Sequence, residues 1–155
     1  MLLELKQRLV GTAAGRMLGA VRQLLEVLSS VRDPERAGWI AQDACARRLL
    51  PGLCMPNSVF VDVGAHIGSV TAHVRNHDTS VKVIAIEAVP EKAFYLASRY
   101  PDVEVHGVAL GEAAGQVQFF VDKQRPGYSS LAQPKHPPAQ IEPITVPMMR
   151  LDDVV

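Results

Sequence analysis

The sequence predicts an α/β fold in which helices precede a parallel sheet and a single βαβ unit organises the rest. Three observations carry that prediction. Val59–Val63 (VFVDV) and Val81–Ile86 (VKVIAI) are short apolar runs rich in β-branched residues, suited to strands buried on both faces of a parallel sheet. Between them, the turn Gly64-Ala65-His66-Ile67-Gly68 opens a helical pattern with Ile67, Val70, Thr71 and Val74 on one face. Each strand run also ends in an acid, Asp62 for the first and Glu87 for the second. Strand, glycine turn, helix, strand and acid within about 30 residues form a nucleotide-binding βαβ unit.

Composition narrows the classes of function. The chain has 155 residues, 48% of them hydrophobic, which is one domain's worth of core. A chain of this size buries roughly two-thirds of the surface exposed when unfolded. Sixteen basic residues balance sixteen acidic ones, so no global field draws in nucleic acid or an anionic membrane, and no nucleic-acid partner is expected. Cys45 and Cys54 lack a Cys-x-x-Cys pattern and read as free thiols of a reducing compartment. Lys6, Arg8, Arg16, Arg22 and Glu26 interrupt the apolar N-terminus. No stretch therefore approaches the roughly 18 uncharged residues of an integral membrane segment. Nor does a clean apolar core precede a cleavage site, so no secretory signal is read and a cytoplasmic location is expected.

Taken in order, Leu2, Leu5, Leu9, Ala13, Met17, Val21, Leu24 and Leu28 recur at helical steps and predict an amphipathic helix over 2–29. Gly11, Gly15 and Gly19 sit four apart on it and would admit a second helix closely. Packing on the body of the domain, a dimer contact and peripheral membrane attachment are the three readings of its apolar face. Asp33-Pro34-Glu35 is a helix start, with Asp as cap, Pro in the first turn and Glu at the positive dipole end. That second helix runs to about Leu50 and is closed by Pro51-Gly52, with Trp39 and Ile40 in the core. The division expected is a helical segment over 1–55 and a sheet domain over 56–155. After Glu87, Pro90 opens a helix with Ala93, Phe94, Ala97 and Tyr100 on one face, stopped by Pro101. Val103–Leu110 and Val117–Val121 read as further strands. The proline-rich stretch 122–143 reads as a loop, and Ile144–Met148 as a strand pairing with Val117–Val121.

The ligand of a βαβ unit lies beyond the carboxyl ends of its strands. Glu87 is placed there to accept hydrogen bonds from both hydroxyls of a ribose, as it would be in a dinucleotide site too. Two features favour a ligand without phosphates. The glycine spacing is Gly-x-x-x-Gly, not the Gly-x-Gly-x-x-Gly that cradles a pyrophosphate. Asp62 also precedes the turn, where a dinucleotide places phosphate charge; like charges about 5 Å apart repel by roughly 3 kcal/mol at an effective dielectric near 20. S-adenosylmethionine carries an ammonium and a sulfonium in place of phosphates, so the charges favour it.

Asp62-Val63-Gly64-Ala65-His66-Ile67-Gly68, Glu87-Ala88-Val89-Pro90, Val108-Ala109-Leu110-Gly111, Ser129-Ser130-Leu131 and Leu151-Asp152-Asp153 together resemble the FkbM-type family of S-adenosylmethionine-dependent methyltransferases, in family order over 59–153. The resemblance implies a Rossmann-like class I methyltransferase sheet, represented here by its first half (strands one to three with a β extension). It implies O-methylation of a sugar or small hydroxylated metabolite, with a small-molecule or glycan acceptor. It also implies cofactor contacts from Asp62, Gly64, Ala65, His66 and Gly68 at the methionine end. Glu87 and Ala88 would contact the ribose, and Val108–Leu110, centred on Ala109, the adenine. No catalytic residue and no metal ligand is assigned.

His66 stands where the family usually has Asn, Ala88 where it has Pro, and Gly107 where Asn is common. An Asn-to-His exchange keeps a donor and an acceptor but brings titration near neutrality. The family's continuation after Leu-Asp-Asp, a strand with Lys-Ile-Asp-Val-Glu-Gly, does not occur in these 155 residues. The sequence therefore predicts an open sheet edge at Val59–Val63 that invites self-association. Marginal stability and loss of transfer activity are expected to accompany it. The alternatives are a truncated, non-catalytic module for cofactor or protein binding and an NAD-type oxidoreductase fragment. His73 and His77, four apart on a helix, could chelate zinc but have no third ligand in the sequence. Ser129-Ser130 with His136 lacks a hydrolase elbow and reads as a mobile loop or, by the resemblance, a substrate lid.

Overall fold

The computed structural model describes residues 12–30, 45, 49–50, 52–123, 129–132 and 141–155. The first ten residues of the predicted 2–29 helix, the Asp33-Pro34-Glu35 cap, Trp39, Ile40 and His136 lie outside them. The chain separates into two compact units, one of Met1–Phe60 with Gly68–Lys82 and the other of Val61–Ile67 with Val83–Val155.

The first unit holds α1 (Ala13–Ser30) and α2 (Ser69–His77). Helix α1 covers the described part of the helix predicted over 2–29, yet Met17, Leu18, Val21, Leu24 and Leu25 on it are exposed. Leu49, Leu50, Gly52 and Leu53 are all helical, so Gly52, read as part of the helix stop, is itself helical; Pro51 lies outside the described residues. A single glycine lowers helix propensity by about 1 kcal/mol without forbidding the conformation. Gly68 caps α2 with φ +79°, and Arg75 and His77 occupy its last turn, where cations complement the helix dipole. Thr71, Ala72 and Val74 are buried. Beyond the helix, an Asp78 carboxylate oxygen accepts the Ser80 backbone N–H at 2.8 Å. The Ser80 hydroxyl in turn accepts the Asn57 N–H at 3.0 Å.

In one three-stranded sheet the order is β1 (Val59–Val63), β2 (Lys82–Ile86), β3 (Glu104–His106). β2 and β3 are parallel, with Ile84, Ala85 and Ile86 opposite Glu104, Val105 and His106. Among the described residues β1 is an edge strand. Its sequence suggested burial on both faces, but Val59 is 53% and Val63 59% exposed, and only Asp62 of the five is buried. β2, flanked on both sides, has the two-sided burial expected of a central parallel strand, from Val83 to Ile86.

Helix α3 (Pro90–Arg99) starts at the predicted proline but presents a different face. Val89, Lys92, Ala93, Leu96 and Tyr100 are buried, whereas Phe94 is 77% exposed and Ala97 is also exposed. At about 100° per residue the buried set clusters on one side. Phe94 projects roughly 145° from its centre and Ala97 roughly 85°. Phe94 is hydrophobic but out of phase with the buried face, which leaves it in solvent.

The predicted strand Val103–Leu110 is interrupted at Gly107-Val108. Its first part is β3, and its second is β4 (Ala109–Leu110) in a separate sheet of order β4, β6, β5. There β5 (Gly115–Asp122) pairs antiparallel with β6 (Ile141–Met149), with Val117 opposite Val146 and Phe119 opposite Ile144. This is the predicted pairing, lengthened at both ends. β6 begins at Ile141, inside the stretch read as a loop, and includes Pro143 and Pro147. The register shows how two prolines fit a central strand. Pro143 stands opposite Phe120, whose own N–H donates outward to the Ser130 carbonyl at 2.9 Å. That pair is thus non-hydrogen-bonded, and a proline there forfeits no ladder bond. Pro147 has the same parity. Ile144, Val146 and Met148 of β6 face the core, where Val146 is fully buried with Ala88 and Ala109 against Val117, Phe119, Ile144 and Met148. A second cluster joins Ile84, Ile86 and Val154 with Val61, Val108, Leu110 and Met149. Val154 enters it from the 3₁₀ turn Leu151–Asp153.

Candidate functional site

The turn after β1 is built by backbone conformations that few side chains tolerate. Gly64 has φ +76° and His66 has φ +54°, both in the left-handed region, where a side chain costs roughly 1–2 kcal/mol. Asn is several-fold enriched there among non-glycine residues, which explains a usual Asn where this chain has His66. The turn is fastened to the end of β2, because the N–H groups of Gly64 and Ala65 both donate to the Ile86 carbonyl, at 2.8 and 3.0 Å.

One residue later the carboxylate of Glu87 closes the arrangement. One of its oxygens accepts the His66 backbone N–H at 2.8 Å, and the other accepts the Val89 N–H at 2.9 Å. Glu87 is 5% exposed, and its own N–H donates to the His106 carbonyl at 3.0 Å. A buried carboxylate held by two backbone donors is oriented without needing a flexible partner. Each oxygen keeps a further lone pair.

Around Glu87 lies a cavity of about 220 Å³, walled by the turn (Val63, Gly64, His66), the β2 end (Ile86, Glu87, Ala88) and Lys92 of α3. Val108–Leu110, Phe119, Ser129 and Leu131 complete the lining. Of the site residues read from the sequence, the cavity brings together Gly64, His66, Glu87, Ala88 and Ala109. Asp62, at 8% exposed, is buried but not in the lining, and so is Ala65, at 5%. Gly68 belongs to the first unit, as the cap of α2. Ser129–Leu131 is held by reciprocal backbone bonds between Ser130 and Phe120 at 2.9 and 3.0 Å. The Ser129 hydroxyl also accepts the Asp122 N–H at 3.1 Å. The described part of that segment is thus an added bridge on β5.

Lys92 and Phe119 were missed in the sequence. Lys92 is 7% exposed, and burial pushes its pKa down, while Glu87 and Glu91 act in the opposite sense. A signal was present: a lysine in the first turn of a helix opposes the dipole and needs another reason to be there. Phe119 carried no such signal, since its cavity exposure depends on how the two strand ends meet. The His66 imidazole is held below its ordinary value, first by burial and then by the nearby Lys92 charge, with Glu87 pulling the other way. Its Nε2 is buried and has no hydrogen-bond partner among the described residues. His73 and His77 are both exposed on α2, and among the described residues no three His, Cys, Asp or Glu side chains gather to hold a metal ion. No described helix is long and apolar enough to cross a membrane.

No curated protein and no solved structure matches the chain. The family model of the methyltransferase FkbM domain matches residues 62–155, a span that starts at the acid of β1 and contains every residue of the cavity wall. The chain therefore belongs to the FkbM methyltransferase domain family.

Proposed function

We propose that this chain is an S-adenosylmethionine-dependent methyltransferase, or the cofactor-binding part of one, acting on a hydroxyl of a sugar or small hydroxylated metabolite. The observation that carries the reading is Glu87, a buried carboxylate fixed by the His66 and Val89 amides at the wall of the cavity. Its remaining lone pairs suit a ribose diol. The sheet order β1, β2, β3 with parallel β2 and β3 supports reading these strands as the first half of a Rossmann-like methyltransferase sheet.

The residues fit the cofactor. Glu87 and Ala88 would hold the ribose, and Ala109 with its neighbours the adenine. Gly64, Ala65 and His66 would hold the amino-acid end, with Asp62 supplying negative potential to a cationic ligand. The unpartnered Nε2 of His66 is a buried polar atom of the kind a ligand satisfies. When bound, the cofactor supplies an electrophilic methyl group on a sulfonium. The protein's part is to orient: Glu87 fixes the nucleoside, and the apolar wall of Val108, Leu110, Phe119 and Leu131 excludes water. Transfer by in-line displacement depends chiefly on such positioning.

Calorimetric titration with S-adenosylmethionine and with NAD tests this reading. Saturable binding of the former and none of the latter supports it, while the reverse preference identifies a dinucleotide site. Binding without methyl transfer to a panel of hydroxylated acceptors would favour a non-catalytic cofactor-binding module. The β1 edge, which has no second strand neighbour among the described residues, is a template for strand pairing. Self-association through it predicts a molecular weight that rises with concentration in sedimentation experiments.

A further inference from the structure

Among the described residues, no hydrogen bond from the His66 side chain holds the fold. The backbone N–H fastens Glu87, and the left-handed conformation of the residue would be met as well by Asn. The imidazole nonetheless lines the cavity, with Nε2 buried and unpartnered among the described residues. Burying a polar nitrogen without a partner is unfavourable, and a polar atom of a ligand in the cavity would remove that penalty.

We propose that the imidazole of His66 contacts the bound nucleoside cofactor directly, through Nε2 and in its neutral form, so that cofactor affinity in this chain falls on acidification. The inference rests on the proposed cofactor. The charges around the ring support the neutral form. Among the described residues, the titratable side chains that share the cavity wall with His66 are Lys92 of α3 and Glu87 at the end of β2. The Glu87 carboxylate favours an imidazolium, but burial and the Lys92 ammonium, which repels one, outweigh it. A cationic sulfonium ligand in the same cavity adds to that repulsion, since charges in a low-dielectric site are weakly screened. An Asn at this position would give a contact insensitive to pH, so His66 converts a fixed contact into a titrating one.

The test is calorimetric titration of S-adenosylmethionine between pH 5.0 and 7.0 into the wild-type chain, His66→Asn and Lys92→Met. Linkage to one proton gives a loss approaching about tenfold in affinity per pH unit below the imidazole's own pKa. The wild-type chain should show that loss. His66→Asn, which preserves the turn, should lose the pH dependence, so that its affinity, whatever its value at pH 7.0, stays flat across the range. Lys92→Met should move the fall to higher pH. A flat wild-type profile, or an equal fall in His66→Asn, overturns the inference while leaving the proposed cofactor standing. Absence of binding by every variant at every pH overturns the proposed function and this inference with it. A fall that Lys92→Met does not move removes Lys92 from the account.

Discussion

Glu87→Gln is the most informative single perturbation, because it changes one atom and retains the shape. In the native chain both carboxylate oxygens are acceptors, one for His66 and one for Val89. Glutamine has only one acceptor oxygen. That oxygen should take the more deeply buried Val89 amide, leaving the NH₂ group facing the His66 N–H, donor against donor. An unsatisfied buried donor costs about 1–3 kcal/mol. For a chain of this size each kcal/mol lowers Tm by about 2–4 °C. The same exchange removes charge-assisted hydrogen bonds to a ribose, a loss of about 1.5–3 kcal/mol, or roughly 10- to 150-fold in affinity. Differential scanning calorimetry gives the first quantity and titration with S-adenosylmethionine the second. Glu87→Ala leaves both amides without their acceptor and should be less stable than Glu87→Gln. An unchanged Tm in Glu87→Gln would refute the reading of Glu87 as the clasp of the turn. An unchanged affinity in a folded variant would refute its role at the ribose.

Three further outcomes follow from the geometry. Gly64→Ala meets no atom within 4 Å but must hold φ +76°, so its cost is backbone strain alone, about 1–2 kcal/mol by denaturant unfolding, with Gly64→Asn costing less. Leu96→Ala, at a fully buried position, should cost about 2–5 kcal/mol. Phe94→Ala, on the same helix but exposed, should stay within about 0.5 kcal/mol, and equal losses would restore the face read from the sequence. Stability should also decline on acidification through His66. Its folded pKa lies below the ordinary 6.5, so the unfolded chain takes up the proton more readily. Its contribution is complete above pH 6.5 and is lost as pH falls through 6.5 toward the folded value. His66→Asn should flatten that part of a pH–Tm profile.

The parts of this chain legible in sequence are those whose physics is local. The glycine turn with its three left-handed residues, the acid ending β2 and the Pro90 helix start are each specified by adjacent residues. The pairing of Val117–Val121 with Ile144–Met148 was legible because both runs alternate over a common span. What failed depended on phase or on partners distant in the chain. Val103–Leu110 is apolar throughout, and nothing local says that it changes sheet at Gly107-Val108. Pro143 fell in the stretch read as a loop, and the register shows that it faces no ladder bond to β5. The Val59–Val63 run reads as doubly buried, but an edge strand whose end opens on a cavity leaves Val63 exposed. At the site, Gly64, His66, Glu87, Ala88 and Ala109 were foreseen, whereas Lys92 reaches the cavity only because α3 turns that side of its first turn inward.

The central claim is that a nucleoside cofactor binds at Glu87, and the amides of His66 and Val89 are built-in reporters, since each donates to one of its oxygens. The direct measurement is a ¹⁵N–¹H correlation spectrum of the chain titrated with S-adenosylhomocysteine. The account predicts saturable shifts that are largest at His66, Glu87, Val89 and Ala109. Saturation with those four amides unmoved, and shifts confined to residues outside the cavity, would contradict it.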